Sequence, residues 1–428
     1  MTKNFLLTGY YFNGYHGSMM HICEIAEYLV AQGWMVGVVS MDITQEIREY
    51  VESKGIRLYS VHTLPKDIVW QYALCYHFPL LPYLLRSGVK IEKLGIGSLS
   101  GIEMLESPSF LAKAEGLPVF VHSGSLKSKL ILNHGISENA IFIVPNLVPE
   151  SFREFEKSTP PQSLNRIAVV SSHVPNEIRE AATQLAGQHI NVDFYGLADK
   201  HIPVTPELLA GYDCVVTIGK TVQYALALGI PVFNYDRFGG EGYIRLSNID
   251  DEEYYVFSGR RTFRSLCADA LAAELSRGFA AAAKEAPSLR AVAYERYFVS
   301  YQVERILSIL DGWAFHKIEE SPATRMYYDY CNFIINEDSK NLNRISALQQ
   351  AHDGVDDENE KALKQLDTLQ QAYDGLVAEN GNNIAQLAAL QQAYNGIVNA
   401  FFWKMTGPLR GVVNFMKGRK ANLTLKLK

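Results

Sequence analysis

Short apolar runs alternate with amphipathic stretches along most of the chain. The runs at 4–12, 35–40 and 118–122 have the length and composition of buried strands, and the stretch at 19–32 has the apolar spacing of a helix. A glycine-bearing loop at 13–18 separates the first run from this helix. Strands that alternate with helices predict a doubly wound parallel sheet with right-handed crossovers.

A second set of alternating elements follows the first. The polar segment at 156–162 contains two prolines and interrupts the pattern, and an apolar run at 166–171 starts it again. We therefore predict two α/β domains, an N-terminal domain over residues 1–160 and a C-terminal domain over residues 165–318. Two such domains form a cleft between two sheet edges, and ligands favour clefts of this kind.

The stretch 212–243 in the second domain carries the clearest site pattern. Gly219, Lys220 and Thr221 form a turn between a strand-like run and a helix, so that free N–H groups and the positive end of the helix dipole lie beside a lysine. We expect a diphosphate at this turn, although the glycine spacing of a Walker motif is missing. The glycine-rich run with Gly240 follows the next strand, where backbone can approach a ligand closely. The alternative is an ordinary strand–helix–strand unit with a solvated lysine in its turn.

The composition indicates a globular chain with an acidic body. Its 428 residues carry a formal net charge of −6 and are 48% hydrophobic, which argues against nucleic acid as the main partner. The five cysteines form no C-x-x-C pair, so we expect a reducing compartment and no zinc site. The first apolar run is too short for a signal peptide, and prolines interrupt the apolar stretch at 68–85, so we expect no membrane-spanning helix.

Residues 341–401 follow a different period. The tetrapeptide L-Q-Q-A recurs at Leu348, Leu369 and Leu390, a spacing of three heptads, and apolar residues recur at the a and d positions between them. We predict a linker at 319–340 and then a parallel oligomeric coiled coil. The alternative is a single long helix packed against the body of the protein.

The last segment, residues 402–428, is strongly cationic. It contains seven lysine or arginine residues, and no acidic residue occurs after Glu379. These residues are interleaved with Phe, Trp, Val and Met, a composition typical of an amphipathic helix that lies on an anionic membrane surface. The alternative is a basic end that only keeps the chain in solution.

Residues 119–152 resemble the end of the first domain in GT-B-fold glycosyltransferases of the family-4 type. The shared pattern is a strand, a lysine-bearing helix, G-I, an apolar strand and a P-N-x-V-x-x-x-F segment, which here reads P-N-L-V-P-E-S-F. The loop at 13–18 and the G-I-P-V run at 229–232 are similar to that family as well. The likeness covers about residues 1–310. The T-G-P-L-R run in the cationic tail resembles the ends of some bacterial surface-polysaccharide glycosyltransferases.

The resemblance implies a fold and an activity. The fold is α/β, with two Rossmann-like doubly wound domains (GT-B) that precede the predicted coiled coil and basic amphipathic tail. The activity is transfer of a sugar from a nucleotide-sugar donor to a growing, lipid-linked surface glycan at the cytoplasmic face of the cell membrane, with no bound metal and no further cofactor. Self-association and contact with the anionic membrane would accompany it. Two alternatives stay open: a catalytically inactive GT-B-like assembly module and a nucleotide-sugar epimerase of the same fold.

The chain departs from the family pattern at the donor site. Family-4 enzymes usually carry a glutamate on the helix before G-x-P-V, and Tyr224 stands at that position. The arginine and lysine that usually follow the first strand of the second domain are replaced by Ser171, Ser172 and His173. The missing glutamate favours the inactive alternative, whereas the G-K-T turn favours the enzyme.

Three side chains are candidate catalytic groups: His16 in the first loop, His122 at the end of a strand, and Lys220. We expect both histidines at the same crevice, although a histidine is more often structural than catalytic. Arg260 and Arg261 are weaker candidates for the cleft. The expected donor contacts are Gly219, Lys220, Thr221, His173, Asp236, Gly240, Glu241 and Tyr243, the expected acceptor contacts are Tyr15, His16, Gly17 and His77, and no metal ligand is expected.

Overall fold

The structure is a computed structural model, and it describes most of the first 353 residues. The described residues are 3–101, 103–108, 110–155, 161–196, 199–200, 202–313 and 321–353, with short pieces between 370 and 395. The chain divides into one compact unit, Met1–Lys340, and a second unit, Asn341–Lys428. The predicted coiled coil lies mostly outside the described residues, and the predicted basic tail lies wholly outside them.

The first sheet lies in the N-terminal part of the larger unit, and every strand pair in it is parallel. The strands of this part are β1 (Asn4–Thr8), β2 (Tyr11–Phe12), β3 (Met35–Ser40), β4 (Asp42–Ile43), β5 (Arg57–Ser60), β6 (Val69–Cys75), β7 (Lys90–Ser98), β8 (Val119–Val121) and β9 (Ile141–Ile143). In the described residues the sheet has the order β5-β3-β1-β6-β7-β8-β9, and β2 pairs separately with β4. The chain adds β3 and β5 on one side of β1 and then adds β6 to β9 on the other side. This reversal of strand order between β1 and β6 places a crevice at the carboxyl ends of these two strands.

Helices connect these strands. They are α1 (Gly17–Ala31), α2 (Gln45–Ser53), α3 (Leu80–Arg86), α4 (Phe110–Ala114), α5 (Gly124–Lys129) and α6 (Ser151–Glu154), with shorter turns at Met104–Glu106, Leu130–His134 and Glu138–Ala140. His16 caps α1, because its Nδ1 accepts a hydrogen bond from the backbone N–H of Met19 at 3.4 Å. This cap orients the loop that the sequence places at the mouth of the first sheet.

The second sheet has the order β11-β10-β12-β13-β14 in the described residues. Its strands are β10 (Arg166–Val170), β11 (Asn191–Tyr195), β12 (Cys214–Thr217), β13 (Val232–Asp236) and β14 (Gly239–Tyr243), and its helices are α7 (Asn176–Ala186), α8 (Pro206–Ala210), α9 (Lys220–Ala227), α10 (Ile249–Tyr254) and α11 (Ala268–Arg296). The pairs from β11 to β13 are parallel, and β14 runs antiparallel to β13. Here the order of strand addition reverses between the parallel neighbours β10 and β12, so the carboxyl ends of these two strands form the crevice.

Both faces of the second sheet are covered. Along β12, the side chains of Cys214 and Val216 belong to one hydrophobic cluster and that of Val215 to another. Successive residues of a strand point to opposite faces, so each cluster packs on its own face. This explains why the strand reads as a continuous apolar run instead of an alternating one.

The glycine-rich run after β13 is a strand and not a ligand loop. A Cβ atom at Gly239 would collide with the carbonyl of Arg264, and a Cβ at Gly240 would collide with the carbonyl of Asn234. The absence of side chains therefore allows close backbone approach, as expected, but the approaching groups are the protein's own backbone.

The chain returns to the first sheet after α11. Helix α12 (Val299–Gly312) places Val303, Ile306 and Leu310 in the hydrophobic core of the first sheet. Arg305 donates a hydrogen bond to the carbonyl of Ile143 at 2.7 Å. Helix α12, which follows the second domain, thus packs against the first domain within the larger unit.

The interval that we predicted as a linker, 319–340, contains the beginning of a helix, α13 (Pro322–Asp353). Its Tyr328, Cys331 and Ile335 are at most 5% exposed and lie on one face at helical spacing. The linker prediction was therefore wrong for the residues from 322 onward. Among the described residues, no helix is long and apolar enough to cross a membrane.

Candidate active site

A cleft of about 320 Å³ lies where the carboxyl ends of the two sheets face each other. The second domain lines it with residues that follow β10, β11, β12 and β13, and the first domain lines it with the loop before α1 and the start of that helix. Its lining includes Tyr15, His16, Gly17, Met20, Ser171, Ser172, His173, Gly196, Thr217, Ile218, Lys220, Thr221, Tyr224, Asp236 and Arg237. The predicted contacts Tyr15, His16, Gly17, His173, Lys220, Thr221 and Asp236 are thus brought together.

Lys220 is placed at the start of α9, but its ammonium group is already bonded. It forms an ion pair with Glu24 of α1 and donates to the carbonyl of Leu147 at 3.2 Å. The hydroxyl of Tyr224 donates to the other carboxylate oxygen of Glu24. Lys220 therefore joins the two domains in this structure, which corrects the expectation of an ammonium group that is free to hold a donor phosphate.

Burial dominates the electrostatics of this pair. It raises the pKa of Glu24 to about 7, although the ammonium of Lys220 acts in the opposite direction. It also lowers the pKa of Lys220, against the attraction of Glu24. Both shifts have the sign expected when removing two charges from water costs more than their attraction returns.

Asp236 forms part of the floor of the cleft at the end of β13. Its Oδ2 accepts a hydrogen bond from the hydroxyl of Ser171 at 2.9 Å, and its Oδ1 accepts one from the backbone N–H of Arg237 at 2.7 Å. Burial raises the pKa of this carboxyl group. His173 lies nearby with an exposed side chain, and its backbone N–H donates to the same Ser171 hydroxyl. The hydroxyl of Ser171 thus links the ends of β10 and β13.

Two guanidinium groups share one aromatic ring at the edge of the cleft. The guanidinium carbon of Arg237 is 4.7 Å from the ring centroid of Phe238, and that of Arg260 is 4.2 Å from it. Within the described part of the chain, neither group forms an ion pair or a side-chain hydrogen bond. Burial and the nearby Arg237 charge lower the pKa of Arg260. The Arg237 charge acts on the neighbouring Asp236, but neither guanidinium has an ion-pair contact among the described residues, and two such cations favour an anion.

Arg237 was not among the predicted site residues. It follows β13 immediately, at the carboxyl edge where α/β sheets bind ligands, and that position was the available signal. Arg260 was a weak candidate and does lie between the domains, whereas Arg261 beside it contacts Glu252 at 2.8 Å and Glu241 at 3.7 Å. Only the fold distinguishes the unpaired arginine from the paired one.

His16 lines the cleft as a hydrogen-bond donor. Because its Nδ1 accepts from the N–H of Met19, the neutral imidazole carries its proton on Nε2, which is buried and close to the backbone of Tyr11. Burial lowers the pKa of this imidazole, which favours the neutral form. The geometry therefore suits the expected contact to an acceptor oxygen better than a role as general base.

His77 is structural and does not line the cleft. Its Nδ1 accepts from the backbone N–H of Tyr10 at 3.0 Å, and its Nε2 lies 3.3 Å from Glu106. Both ring nitrogens are therefore used inside the first domain, and His77 is not among the residues that line the cleft, so the expected acceptor contact has no support in this structure.

Four predicted donor contacts are not among the residues that line the cleft. Gly219 places its N–H against the carbonyl of Phe257 at 3.0 Å, and its left-handed φ of +65° forms the turn into α9. Gly240 belongs to β14, and Glu241 pairs with Arg261. Tyr243 is buried and donates to the carbonyl of Leu275 at 2.8 Å. The residues of β14 support the sheet edge.

His122 lies in a second cavity and not in the cleft with His16. This second cavity measures about 190 Å³ and is lined from both domains. Burial lowers the pKa of His122 to about 4, and its Nδ1 has no partner in the described part of the chain. The imidazole is therefore neutral near pH 7. Among the described residues, no cluster of three or more His, Cys, Asp or Glu side chains could hold a metal ion.

Comparison with known proteins gives similarity in architecture alone. No family model matches the chain, and no curated protein matches it.

Solved structures of glycosyltransferases do resemble it. A glycosyltransferase from Rickettsia africae ESF-5 is 12% identical, with a TM-score of 0.45 over 72% of this chain and 98% of that one. A mutant of S. aureus TarM, solved with Fondaparinux, alpha-GlcNAc-glycerol and UDP, is 10% identical, with a TM-score of 0.44 over 73% and 100%. TcCGT1 in complex with UDP is 10% identical, with a TM-score of 0.44 over 73% and 99%.

With TM-scores below 0.5, this likeness identifies neither an activity nor site residues, and nothing in it supports the family-4 type. These similar structures are glycosyltransferases of the GT-B fold, and the sequence resembles proteins of the same fold.

Proposed function

We propose that the chain is a glycosyltransferase that transfers a sugar from a nucleoside diphosphate sugar bound in the cleft. The observation that carries the proposal is the unpaired guanidinium of Arg237, which lines the cleft together with the first residues of α9. When the sugar leaves, negative charge develops on the nucleoside diphosphate. Cations and helix N–H groups placed at that oxygen lower the barrier, because they bind the transition state more strongly than the substrate.

The side chains of the cleft suggest how the donor lies. The diphosphate would contact Arg237 and the N–H groups at Thr221, because the ammonium of Lys220 is bonded to Glu24 and to the carbonyl of Leu147. Asp236 and His173 would contact sugar or ribose hydroxyls, since both residues line the same cleft. Arg237 and the helix start can supply the charge that a metal ion provides in other enzymes, so we propose transfer without a metal.

On the acceptor side, the first domain contributes Tyr15, His16 and Gly17 to the cleft. His16 would donate its Nε2 proton to an acceptor or sugar oxygen. We propose that the neutral His122 contacts the acceptor in the second cavity through its Nδ1, which has no partner among the described residues. We propose a lipid-linked surface glycan as the acceptor and the cytoplasmic membrane face as the location, on the resemblance and the composition of the tail.

Binding of nucleotides to the purified full-length chain tests the proposal. We expect UDP or GDP, or one of their sugars, to raise the melting temperature, since a ligand that binds only the folded state stabilises it. Arg237→Gln should weaken binding of the preferred nucleotide about 10- to 100-fold, the loss expected for one charged hydrogen bond of about 1.5–3 kcal/mol.

The matched control is Arg277→Gln, because Arg277 is exposed on α11 and bonds only to the carbonyl of Ala273 among the described residues. If no nucleotide stabilises the wild type, the proposal is wrong. Binding of a nucleotide sugar without transfer or hydrolysis would instead support the inactive assembly module.

A further inference from the structure

The second cavity is built from both domains. The first domain contributes Leu99, Ser100, Gly101, His122, Ser123, Ser125, Leu126 and Lys129, and the second contributes Tyr255, Val256, Ser258 and Arg260. Arg260 contacts the same Phe238 ring as Arg237, so the second cavity and the cleft meet at this ring. A ligand that fills the second cavity therefore lies beside the donor site.

The lining is cationic and contains no carboxylate. Lys129 and Arg260 carry the charge. The ammonium of Lys129 donates to the carbonyl of Gly101, and neither cation forms an ion pair within the described residues. Their neighbours in the sequence differ: Lys127 lies 3.4 Å from Glu138, and Arg261 lies 2.8 Å from Glu252. No Asp or Glu is among the residues that line the second cavity, although the buried Glu106 accepts from the backbone N–H of Leu99 in its wall. Two cations without an ion-pair partner favour an anionic ligand.

Hydroxyl groups and one imidazole complete the lining. Ser123 and Ser125 lie 3.2 Å apart, oxygen to oxygen, and Ser258 is also part of the wall. The buried Nδ1 of His122 has no partner among the described residues. A buried polar atom without a partner costs about 1–3 kcal/mol, a cost that a bound ligand would remove. Cations, hydroxyls and an imidazole together are the groups that bind phosphate and carboxylate oxygens.

We propose that the second cavity binds an anionic group, a phosphate or a carboxylate, that is carried by the sugar acceptor. This inference rests on the proposed function. A volume of about 190 Å³ is smaller than the roughly 300 Å³ of the smallest pockets that take a whole small molecule, so the site fits one charged group. Binding that group beside Phe238 would hold the rest of the acceptor near the cleft and the imidazole of His122.

The test uses the full-length chain with UDP present in excess, so that the cleft is occupied. The probes are glucose 6-phosphate, glucuronate, inorganic phosphate and, as the neutral control, glucose, at matched ionic strength. We expect glucose 6-phosphate or glucuronate to bind at least tenfold more tightly than glucose in calorimetry. Lys129→Gln and Arg260→Gln should each weaken this binding about tenfold or more, whereas the matched variant Lys127→Gln should not.

Each result bears on one of the two proposals. Loss of sugar-phosphate binding in Lys129→Gln with unchanged UDP binding supports the second cavity as the anion site. If Lys129→Gln and Arg260→Gln bind every probe as well as Lys127→Gln does, the inference is overturned while the proposed function stands. The inference is also overturned if inorganic phosphate binds and glucose 6-phosphate does not, because the ligand is then a free ion. If UDP does not bind but the sugar phosphate still requires Lys129, the proposed function fails and the anion site remains.

Discussion

At the scale of single residues, the contact among Glu24, Lys220 and Tyr224 is the feature that local sequence patterns could not reveal. The resemblance leads one to expect a glutamate at position 224 of α9, and a tyrosine stands there. In the structure, that tyrosine donates its hydroxyl to Glu24, which comes from α1 of the other domain. A carboxylate is thus present beside α9 after all, and it links the domains.

The titration of Glu24 leads to a prediction for stability. Its pKa is raised from an ordinary 4.5 to about 7 by burial, so the folded chain binds this proton more tightly than the unfolded chain. The contribution of Glu24 to the free energy of unfolding is therefore fully present below about pH 4.5 and is lost as the pH rises through about 7. Glu24→Gln should remove on the order of 2–3 kcal/mol of this pH dependence.

Urea unfolding at pH 5, 6 and 7.5 measures the effect. Glu49→Gln, a change at an exposed position of α2, is the control and should follow the wild-type curve. Parallel curves for Glu24→Gln and the wild type would show that Glu24 is ionised in the folded chain throughout this range.

At the scale of elements, α13 begins inside the interval 319–340 that the sequence pattern predicted to be a linker. Its buried residues are few and are separated by polar ones, so the interval has no dense apolar run. The helix is held to the first domain by its buried face and by polar contacts: the carboxylate of Asp338 accepts from the hydroxyl of Tyr10, and Ser339 lies 3.0 Å from His62. The first half of α13 therefore belongs to the folded body.

Two substitutions on this helix test its packing. Ile335 is fully buried, so Ile335→Ala should lower the free energy of unfolding by about 2–5 kcal/mol, the usual range for a cavity of this size. Phe333 is 59% exposed on the same helix, so Phe333→Ala should change it by less than about 0.5 kcal/mol. Urea midpoints of the two variants provide the measurement. Equal and small effects would mean that α13 is not packed on the body in solution.

At the scale of the whole molecule, the sequence predicts an assembly that lies beyond the described residues. The compact unit ends at Lys340, and Asp338 and Ser339 still contact the first domain. A chain that ends at Lys340 therefore retains these contacts and removes the heptads and the basic tail together.

We expect this shortened chain to be monomeric and to bind nucleotide as the full-length chain does. The full-length chain should be oligomeric and should sediment with anionic vesicles, because several basic tails held by one coiled coil gain avidity. Light scattering and vesicle sedimentation at low and high salt measure both properties. Identical oligomeric states for the two chains would show that the heptads form a helix within one molecule, and equal binding to neutral vesicles would remove the electrostatic argument.

The sequence alone was enough to predict the α/β class and much of the cleft. Strands buried on both faces must be apolar along their whole length, so their alternation with helices is visible in the sequence. Ligands bind at the carboxyl ends of such strands, and this rule places His173, Thr221 and Asp236 at the cleft from their positions after strands.

Only the tertiary structure decided which distant groups meet. Glu24 and Lys220 are 196 residues apart in the chain, and no local pattern encodes their contact. His16, His77 and His122 look alike in the sequence, but the fold makes the first a cap at the cleft, the second a bonded group inside the first domain, and the third part of another cavity. The same holds for Arg260 and Arg261, of which one is unpaired and the other is surrounded by carboxylates. Hydrophobic periodicity shows which side of its own helix or strand a residue occupies. The groups that the residue contacts depend on how separate elements pack, and that packing exists only in the folded chain.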